Sequence, residues 1–340
     1  MAQDNLKQIK EAVAEYTAQN SFSGTILVAE KGQPIFHQSY GLAYRATPDT
    51  LQNNYHYSIA SITKVFTAIR ILQLVEQGNL DLQTPIISYF PEWSSRISDQ
   101  VTIHHLLLHI SGLPNEKDKL YQHELTPEKL VELTLQHKSK SLRETFNYNN
   151  LDYVLLGLLI ESVTGNTWQG EISANILQPL EMEATGFLEY GYYPDNFAYT
   201  YSYGNGKKPK QDPLFYIENF YAAGCMYSTT LDLLKLDQAL YNNRLLNKAS
   251  RALLAKSYPE YNYVGYGVWN YQYPFTASRP TIMERRGGIL GANVVLVRLT
   301  DSNKTIIILS NTDQFNPDSF GDPQNLREAL IRALETNRNK

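Results

Sequence analysis

The sequence runs Ser61-Ile62-Thr63-Lys64 at the start of a helix that its composition predicts over residues 62–77, ended by Gly78. A serine at this point has free backbone N–H groups and the positive end of the helix dipole beside it. Lys64 lies three residues on, so both side chains share one helix face. A serine becomes a good nucleophile when a base takes its proton, and a lysine with a lowered pKa is such a base. The alternative is an N-cap serine beside a solvated lysine, and these four residues alone leave both interpretations open.

Short β-type runs lie near both ends of the chain, and helical segments fill the middle. A first helix, with Asp4 as a possible N-cap, precedes a hairpin of strands over residues 25–30 and 34–40. The later predicted elements are helices over residues 101–109, 151–163 and 231–241, strands over 266–271, 281–286, 293–299 and 305–310, and a closing helix over 326–335. This order predicts an α+β fold, in which an antiparallel sheet built from N- and C-terminal strands is flanked by helices and interrupted by an inserted, mainly helical region. We expect residues 1–61 and 261–340 to form the sheet region and residues 62–260 the insertion, as one interlocked catalytic unit.

The composition excludes several classes of protein. The chain has 340 residues, of which 43% are hydrophobic and 19% charged, as in an ordinary soluble globular protein. With 30 Lys+Arg against 34 Asp+Glu, the net charge of -4 shows no basic surface for nucleic acid. The longest apolar run, residues 153–160, is far shorter than the roughly 18 residues that a membrane span needs. The single cysteine, Cys225, excludes an internal disulfide and a thiolate zinc cluster.

Two further segments carry side chains suited to a catalytic cleft. Tyr148-Asn149-Asn150 precedes an apolar helix; a tyrosine near a lysine can shuttle a proton there, and an asparagine can hold a substrate amide. Arg285-Arg286-Gly287-Gly288 lies at the end of a predicted strand, where glycine lets a substrate backbone approach and arginine suits a carboxylate. Each segment also has a plain structural interpretation, as a loop before a helix and as a strand end with a solvated arginine pair.

In this order, the segments resemble the serine β-lactamase and penicillin-binding-protein superfamily. The resemblance is closest to its class C β-lactamase and D-alanyl-D-alanine carboxypeptidase branch, which also contains esterases, and it covers residues 22–311. It includes residues 101–114, which look like the hallmark segment of the branch, and a further similar block over residues 223–229. Class A enzymes have Ser-Asp-Asn where this chain has Tyr-Asn-Asn, so the chain resembles class C. The resemblance implies a β-lactamase/transpeptidase-like fold.

The resemblance also implies a role for each matched residue. Ser61 matches the nucleophile, Lys64 the lysine that activates it, and Tyr148 the tyrosine that passes protons to the leaving group and from water. Asn150 matches the amide that orients substrate. The backbone N–H groups of Ser61 and Gly288 match the oxyanion hole, in which each donor supplies about 3 kcal/mol.

The third segment departs from the family pattern. The family has lysine or histidine, a small residue and glycine here, whereas this chain has Arg285, Arg286 and Gly287. Arginine keeps a positive charge but does not give up its proton. We therefore expect Arg285 to bind a substrate carboxylate as a bidentate fork, with Arg286 and Gly287 as neighbouring substrate-binding residues, or else to point to solvent. The pattern favours acyl transfer in general over efficient β-lactam hydrolysis.

The resemblance implies a serine hydrolase that cleaves an amide or ester through a covalent acyl-enzyme. The substrate would be a small molecule or a peptidoglycan peptide, and the activity that of a β-lactamase, a D-Ala-D-Ala carboxypeptidase or an esterase. No cofactor or metal is implied, no nucleic acid partner or membrane span is expected, and the oligomeric state is not indicated. One alternative is a non-catalytic penicillin-binding-like protein that binds cell-wall fragments or a partner. Another is a zinc-dependent hydrolase that uses His105 and His109, four residues apart.

The first residues bear on location. Met1-Ala2-Gln3-Asp4 leads directly into a polar helix, without the basic and apolar regions of a signal peptide. Together with the family resemblance and the single cysteine, this short start favours a mature protein that has lost a signal peptide. We expect a periplasmic or secreted location, with a cytoplasmic one as the alternative.

Overall fold

The long strands lie near both ends of the chain and most helices lie between them; the computed structural model describes residues 2–136, 144–204 and 208–335. The helices are α1 (Ala2–Gln19), α2 (Thr63–Glu76), α3 (Ile103–Leu107), α4 (Pro127–Leu135), α5 (Leu151–Thr164), α6 (Trp168–Ile172), α7 (Thr230–Tyr241), α8 (Lys248–Leu254) and α9 (Leu326–Glu335). The strands are β1 (Gly24–Glu30), β2 (Gln33–Tyr40), β3 (Leu42–Tyr44), β4 (Asp49–Thr50), β5 (Tyr57–Ser58), β6 (Gly186–Phe187), β7 (Tyr201–Ser202), β8 (Lys210–Gln211), β9 (Met226–Ser228), β10 (Trp269–Gln272), β11 (Thr281–Ile289), β12 (Ala292–Leu299) and β13 (Lys304–Ser310).

The main sheet joins the two ends of the chain. Its strand order is β10-β11-β12-β13-β1-β2, and every neighbouring pair is antiparallel. β1 pairs with β13 along its whole length, from Gly24 opposite Ser310 to Glu30 opposite Lys304. The predicted α+β fold is therefore confirmed. The exact division of the chain at residues 61 and 261 stays a prediction.

The sheet separates two hydrophobic cores. Side chains alternate between the two faces of a strand. Ile306 and Ile308 of β13 accordingly pack with residues of α1 and α9. Ile307 and Leu309 point the other way, into the larger core formed by the helices of the middle region. Because β13 is buried on both faces, its sequence is a continuous apolar run rather than an alternating one.

Helix α2 lies at the centre of the larger core. Its residues are buried around the whole circumference over most of its length, so even the polar side chains of Lys64, Thr67 and Arg70 lie inside the protein. The predicted helix over residues 62–77 is divided into a 3₁₀ turn, Ala60–Ile62, and α2 itself. Gly78, with a φ of 76°, ends the helix as predicted. Ser61 therefore lies in the turn that leads into a largely buried helix.

Two predicted helix boundaries are wrong. α1 begins at Ala2, so Asp4 lies inside the helix and is not its N-cap. The helix predicted over residues 101–109 is much shorter, because α3 ends at Leu107 and His109 adopts a φ of 57°. Since His109 lies outside the helix, the four-residue spacing from His105 does not place the two imidazoles on one helix face.

Helix α5 is strongly apolar and packs closely on the segment Ile217–Ala223. Its first ten residues are all buried inside the protein. Among the helices of the described residues, none has the length and apolarity to cross a membrane. A Cβ atom on Gly157 would lie 2.4 Å from the Tyr221 ring and 2.6 Å from Ala222 Cβ. The contact between α5 and this segment therefore requires glycine at position 157.

We predict that Gly157→Ala lowers the free energy of unfolding by about 1–3 kcal/mol, the usual effect of an extra methyl group in a filled core. Denaturant unfolding of the purified chain measures the effect. Ser162→Ala, at an exposed position of the same helix, is the control and should change stability by less than about 0.5 kcal/mol. Equal stability of the two variants would contradict the requirement for glycine at the contact between α5 and the segment Ile217–Ala223.

Candidate active site

Ser61 is held in a strained turn packed against the sheet. Ala60, the residue before it, has a φ of 44°, in the left-handed region that non-glycine residues rarely adopt. Such strain is found most often at functional sites. A Cβ atom on Gly287 of β11 would lie 2.8 Å from the Ile59 carbonyl oxygen and 3.0 Å from the Ser61 nitrogen. The missing side chain at position 287 thus allows the strand to pass directly beside the serine.

Lys64 is completely buried, and its amine has three acceptors. Nζ donates to Ser61 Oγ at 3.1 Å, Asn150 Oδ1 at 2.7 Å and the Ala223 carbonyl oxygen at 2.8 Å. Burial lowers the pKa of Lys64 to about 8. The amide and carbonyl oxygens can only accept hydrogen bonds. When Lys64 is neutral, its two N–H groups therefore stay with these oxygens and its lone pair faces Ser61.

Tyr148 is the second group beside the serine. Its hydroxyl lies 2.7 Å from Ser61 Oγ and accepts a hydrogen bond from Arg285 Nη2, also at 2.7 Å. Burial alone would raise the pKa of the phenol, but the positive charges of Arg285 and Lys64 outweigh it and lower the pKa of Tyr148. The phenol can thus lose its proton more readily than an ordinary tyrosine and exchange it with Ser61. Lys64 and Tyr148 titrate as a pair, since each affects the other.

Arg285 has contacts that differ from both predicted arrangements. It is 1% exposed, so it does not point to solvent. Nε donates to the Ser61 carbonyl oxygen at 2.8 Å, Nη2 donates to Tyr148, and the guanidinium lies against the rings of Tyr148 and Trp269, at 5.3 and 4.9 Å from their centroids. Two nitrogens of the fork that was expected to hold a substrate carboxylate are thus bound inside the protein, whereas the buried Nη1 has no hydrogen-bond partner among the described residues. The contacts of Arg285 instead serve to position Tyr148 and the Ser61 turn.

Arg286 is not brought to the serine. Alternate residues of β11 point to opposite faces of the sheet, so Arg286 lies on the side of α9 when Arg285 faces Ser61. It forms ion pairs with Glu284 at 2.5 Å and Asp318 at 2.9 Å. The predicted substrate-binding role of Arg286 therefore has no contact with Ser61 to support it.

The backbone at Gly287 and Gly288 lies at an open edge of the sheet. β10 pairs with β11 only between Thr281 and Glu284, so the later part of β11 has no neighbouring strand on that side among the residues that the structure describes. Gly288 is exposed, and the strand contacts the turn that holds Ser61. This arrangement leaves the backbone at Gly288 accessible next to the turn that holds Ser61. The oxyanion hole of Ser61 and Gly288 stays a prediction.

Glu116 belongs to the site although no sequence motif marks it. Asn150, whose Oδ1 accepts from Lys64, donates through Nδ2 to Glu116 Oε1 at 2.5 Å. The Tyr121 hydroxyl donates to the same oxygen at 2.7 Å. The other oxygen, Oε2, is buried and has no hydrogen-bond partner among the described residues. A carboxylate oxygen with unused acceptor capacity thus lies one residue away from the lysine.

A neutral histidine lies under the Tyr148 ring. His109 is buried, and its ring is 4.4 Å from that of Tyr148 and 5.1 Å from that of Tyr153, centroid to centroid. Burial, with the charges of Arg285 and Lys64, holds the pKa of His109 well below its usual range. The imidazole therefore supports Tyr148 by packing rather than by charge.

The zinc alternative finds no ligand cluster in the described part of the chain. His105 Nδ1 lies 2.8 Å from the Thr102 hydroxyl, and His109 packs between aromatic rings. No group of three or more His, Cys, Asp or Glu side chains that could hold a metal ion occurs within residues 2–136, 144–204 and 208–335. Cys225 is buried, and burial raises the pKa of its thiol. The described residues therefore offer no donor set for zinc.

Comparison with known families decides the classification of this fold and site. The family model described as Beta-lactamase matches residues 9–331. The chain belongs to the Beta-lactamase family. The match spans nearly the whole chain and confirms the predicted superfamily.

Relatives of this Beta-lactamase family member include hydrolases and penicillin-binding proteins. Penicillin-binding protein 4* of Bacillus subtilis (strain 168) is 28% identical over 336 residues, covering 92% of this chain and 73% of the relative. Teichoic acid D-alanine hydrolase of Staphylococcus aureus (strain MRSA252) is 26% identical over 318 residues, covering 90% and 75%. These similarities support hydrolase activity.

Solved structures share the fold of this Beta-lactamase family member. The penicillin-binding protein from Bacillus halodurans has a TM-score of 0.77 and 27% identity, with 96% of this chain and 98% of that chain covered. D-amino acid amidase from Ochrobactrum anthropi SV3, complexed with L-phenylalanine amide, has a TM-score of 0.82 and 23% identity, with 98% and 99% covered. The second similarity shows the fold alone.

We predict that a fluorophosphonate adds covalently to Ser61, because Lys64 and Tyr148 can both accept its proton. Intact-mass and peptide mass spectrometry locate the adduct, and Ser61→Ala should abolish it. An adduct on the buried Ser111, which donates to Asp152, would show that the assignment of the nucleophile is wrong.

We predict that the rate of this labelling rises with pH through an apparent pKa near 8, because the Lys64–Tyr148 pair must lose one proton to act as a base. Arg285→Met removes a positive charge that lowers the pKa of both groups. The midpoint should therefore move to higher pH, as measured by the labelling rate of a neutral fluorophosphonate.

Arg286→Met is the control for this shift. It removes an equal charge that is already paired with Glu284 and Asp318, so its midpoint should stay close to that of the unaltered chain. Equal midpoints in all three proteins would mean that Arg285 does not tune the pair.

Proposed function

We propose that this chain is a serine hydrolase that removes a D-aminoacyl group, with its amino group free, from an ester or amide through an acyl-enzyme on Ser61. The observation that carries the proposal is the hydrogen-bonded set of Ser61, Lys64 and Tyr148, in which a buried amine and a phenol of lowered pKa meet one serine oxygen. A non-catalytic binding protein has no need of two proton acceptors at a serine.

Acylation begins when Ser61 Oγ attacks the carbonyl carbon and its proton passes to the Lys64–Tyr148 pair. The carbonyl oxygen becomes an oxyanion, for which the N–H groups of Ser61 and Gly288 are the expected donors. The bond to the leaving oxygen or nitrogen then breaks, and that atom takes a proton from Tyr148. The acyl group remains as an ester on Ser61.

Deacylation repeats the sequence with water. The Lys64–Tyr148 pair removes a proton from a water molecule as its oxygen attacks the acyl carbon. The bond to Ser61 Oγ breaks, the serine regains a proton from the pair, and the free acid leaves. Arg285 holds Tyr148 in place throughout, because it donates to the phenol oxygen and to the backbone of the Ser61 turn.

The charges around the serine support an ammonium on the acyl group. The buried Oε2 of Glu116 has no donor within the described part of the chain, and an unsatisfied carboxylate oxygen is costly to bury. A substrate ammonium supplies three donors for it. Arg285, in contrast, already donates through Nε and Nη2 to protein oxygens, and only its buried Nη1 has no hydrogen-bond partner among the described residues. The site therefore favours an amine-bearing acyl group over a carboxylate-bearing substrate.

The names of relatives supply the stereochemical part of the proposal. One relative is a teichoic acid D-alanine hydrolase, and one structural neighbour is a D-amino acid amidase. A D-alanyl ester has the free ammonium that Glu116 would bind, whereas an acylated peptide amine does not. The periplasmic or secreted location stays a prediction, and it is compatible with a substrate in the cell envelope.

We predict that Glu116→Gln lowers kcat/KM for a D-alanyl ester by about 10–100-fold, since a hydrogen bond to a charged group is worth about 1.5–3 kcal/mol. The N-acetyl-D-alanyl ester of the same alcohol should lose almost nothing, because it has no ammonium. Steady-state hydrolysis of the two esters measures both effects. Glutamine keeps the acceptor for Asn150, so fluorophosphonate labelling of Ser61 should persist.

Glu124→Gln is the matched control, because it removes an exposed carboxylate nearby in the sequence and should affect neither ester. Equal losses on both esters in Glu116→Gln would mean that Glu116 positions Asn150 and does not bind the ammonium. Absence of turnover on both esters, with turnover of a D-Ala-D-Ala peptide, would favour a carboxypeptidase instead.

A further inference from the structure

A wide groove runs along the edge strand β10, next to the candidate active site. Its volume is about 1020 Å³. Sites for single small molecules usually have volumes of about 300–1,000 Å³. The groove is therefore large enough for a chain-like ligand. None of the chemistry proposed for Ser61 uses it.

The groove lies beside Tyr148, the residue that would protonate the leaving group, although Tyr148 itself does not line it. Trp269 and Phe146 line its inner end, and the Trp269 ring stacks on that of Tyr148 with centroids 6.3 Å apart. In the proposed mechanism Tyr148 gives its proton to the leaving atom. The groove thus lies where the leaving group continues away from the scissile bond, whereas Glu116 is reached through Asn150 and Lys64.

Exposed aromatic rings form part of the walls. Tyr263 and Phe320 are each 49% exposed, an unusual state for large apolar rings. Asn262 and Tyr263 have consecutive positive φ values of 59° and 60°, which is strained for a residue as bulky as tyrosine. Strain of this kind is typical of ligand-binding segments. It keeps the Tyr263 ring at the surface of the groove.

The polar lining is mostly uncharged. Asn262, Asn270 and Gln272 contribute side-chain amides, each with donor and acceptor groups. Two arginines also line the groove. The charge of Arg286 is balanced by ion pairs with Glu284 and Asp318, whereas Arg279 is exposed and has no ion pair among the described residues. Amides bind hydroxyl groups, and aromatic rings pack on the apolar faces of sugar rings. With one unpaired cation among these amides and rings, the groove suits a neutral carbohydrate better than a polyanion, which is bound through several cations.

We propose that this groove binds an uncharged carbohydrate chain that carries the scissile ester or amide, with the sugar nearest the bond resting on Trp269. The placement of this carbohydrate on the leaving-group side rests on the proposed function. The binding of the carbohydrate does not rest on it, because binding requires no reaction at Ser61.

Tryptophan fluorescence tests the proposal directly. The chain has three tryptophans, of which Trp93 and Trp168 are 7% and 0% exposed, so a ligand in the groove reports mainly through Trp269. We expect chitotetraose, a neutral sugar chain, to cause a saturable change that persists in high salt. The double variant Tyr263→Ala/Phe320→Ala should bind roughly ten-fold more weakly, since two aromatic contacts are lost. Tyr192→Ala, which removes a ring 66% exposed outside the groove, should bind normally.

The proposal is overturned if chitotetraose causes no change, or if the double variant binds as tightly as the unaltered chain. It is also overturned if a poly(glycerol phosphate) chain alone responds and the response disappears in high salt, which would identify a site for polyanions. Ser61→Ala should bind chitotetraose normally. If the protein binds the sugar but hydrolyses no ester, the proposed function is therefore wrong, and the proposal of carbohydrate binding in the groove still holds.

Discussion

The buried amine of Lys64 is the interaction on which the site depends. An amine without solvent is tolerated only when its N–H groups have acceptors, and here the acceptors come from three different parts of the chain. Ser61 comes from the turn before α2, Asn150 from the start of α5 and Ala223 from the segment that packs on Gly157 of α5. The position of the lysine therefore joins these three elements, and its lowered pKa is a consequence of how completely they enclose it.

A second cation near the first explains the behaviour of the phenol. Two positive charges, on Lys64 and Arg285, repel each other and are both stabilised by negative charge on Tyr148. The lysine usual at the third family position could lose its proton, whereas arginine remains charged. This chain thus keeps a permanent positive charge beside the phenol. That charge serves the catalytic groups, and the recognition of substrate falls to other residues.

The parts of the fold that depend on local patterns could be predicted from the sequence. The sequence indicates β1, β13 and α9 because each has a simple pattern of apolar residues. The two strands are apolar runs, and α9 has apolar residues at helical spacing. β10 begins at Trp269 and not at residue 266, because Gly267 adopts a φ of 75° and turns the chain first. Such a turn depends on tertiary packing and has no clear signal in a run of aromatic residues.

The site residues that belong to a sequence motif could be predicted. Those whose role depends on which side chains meet in the folded protein could not. Ser61, Lys64, Tyr148 and Asn150 meet in space as their resemblance to the family implies. The direction of Arg285 depends on the register of β11, which a sequence cannot reveal, since a shift of one residue would exchange it with Arg286. Glu116 stands in a polar loop and becomes relevant only when Asn150 and Tyr121 approach it.

The pairing of β1 with β13 has a consequence for biosynthesis. Because Gly24 pairs with Ser310, the centre of the sheet can form only after almost the entire chain has left the ribosome. Contacts so distant in sequence make folding slow. In the meantime the apolar face of the β1–β2 hairpin has no cover, and its unpaired edge can join another chain. The newly made protein therefore has a built-in period of vulnerability to aggregation, during which a chaperone that shields the hairpin would increase its yield.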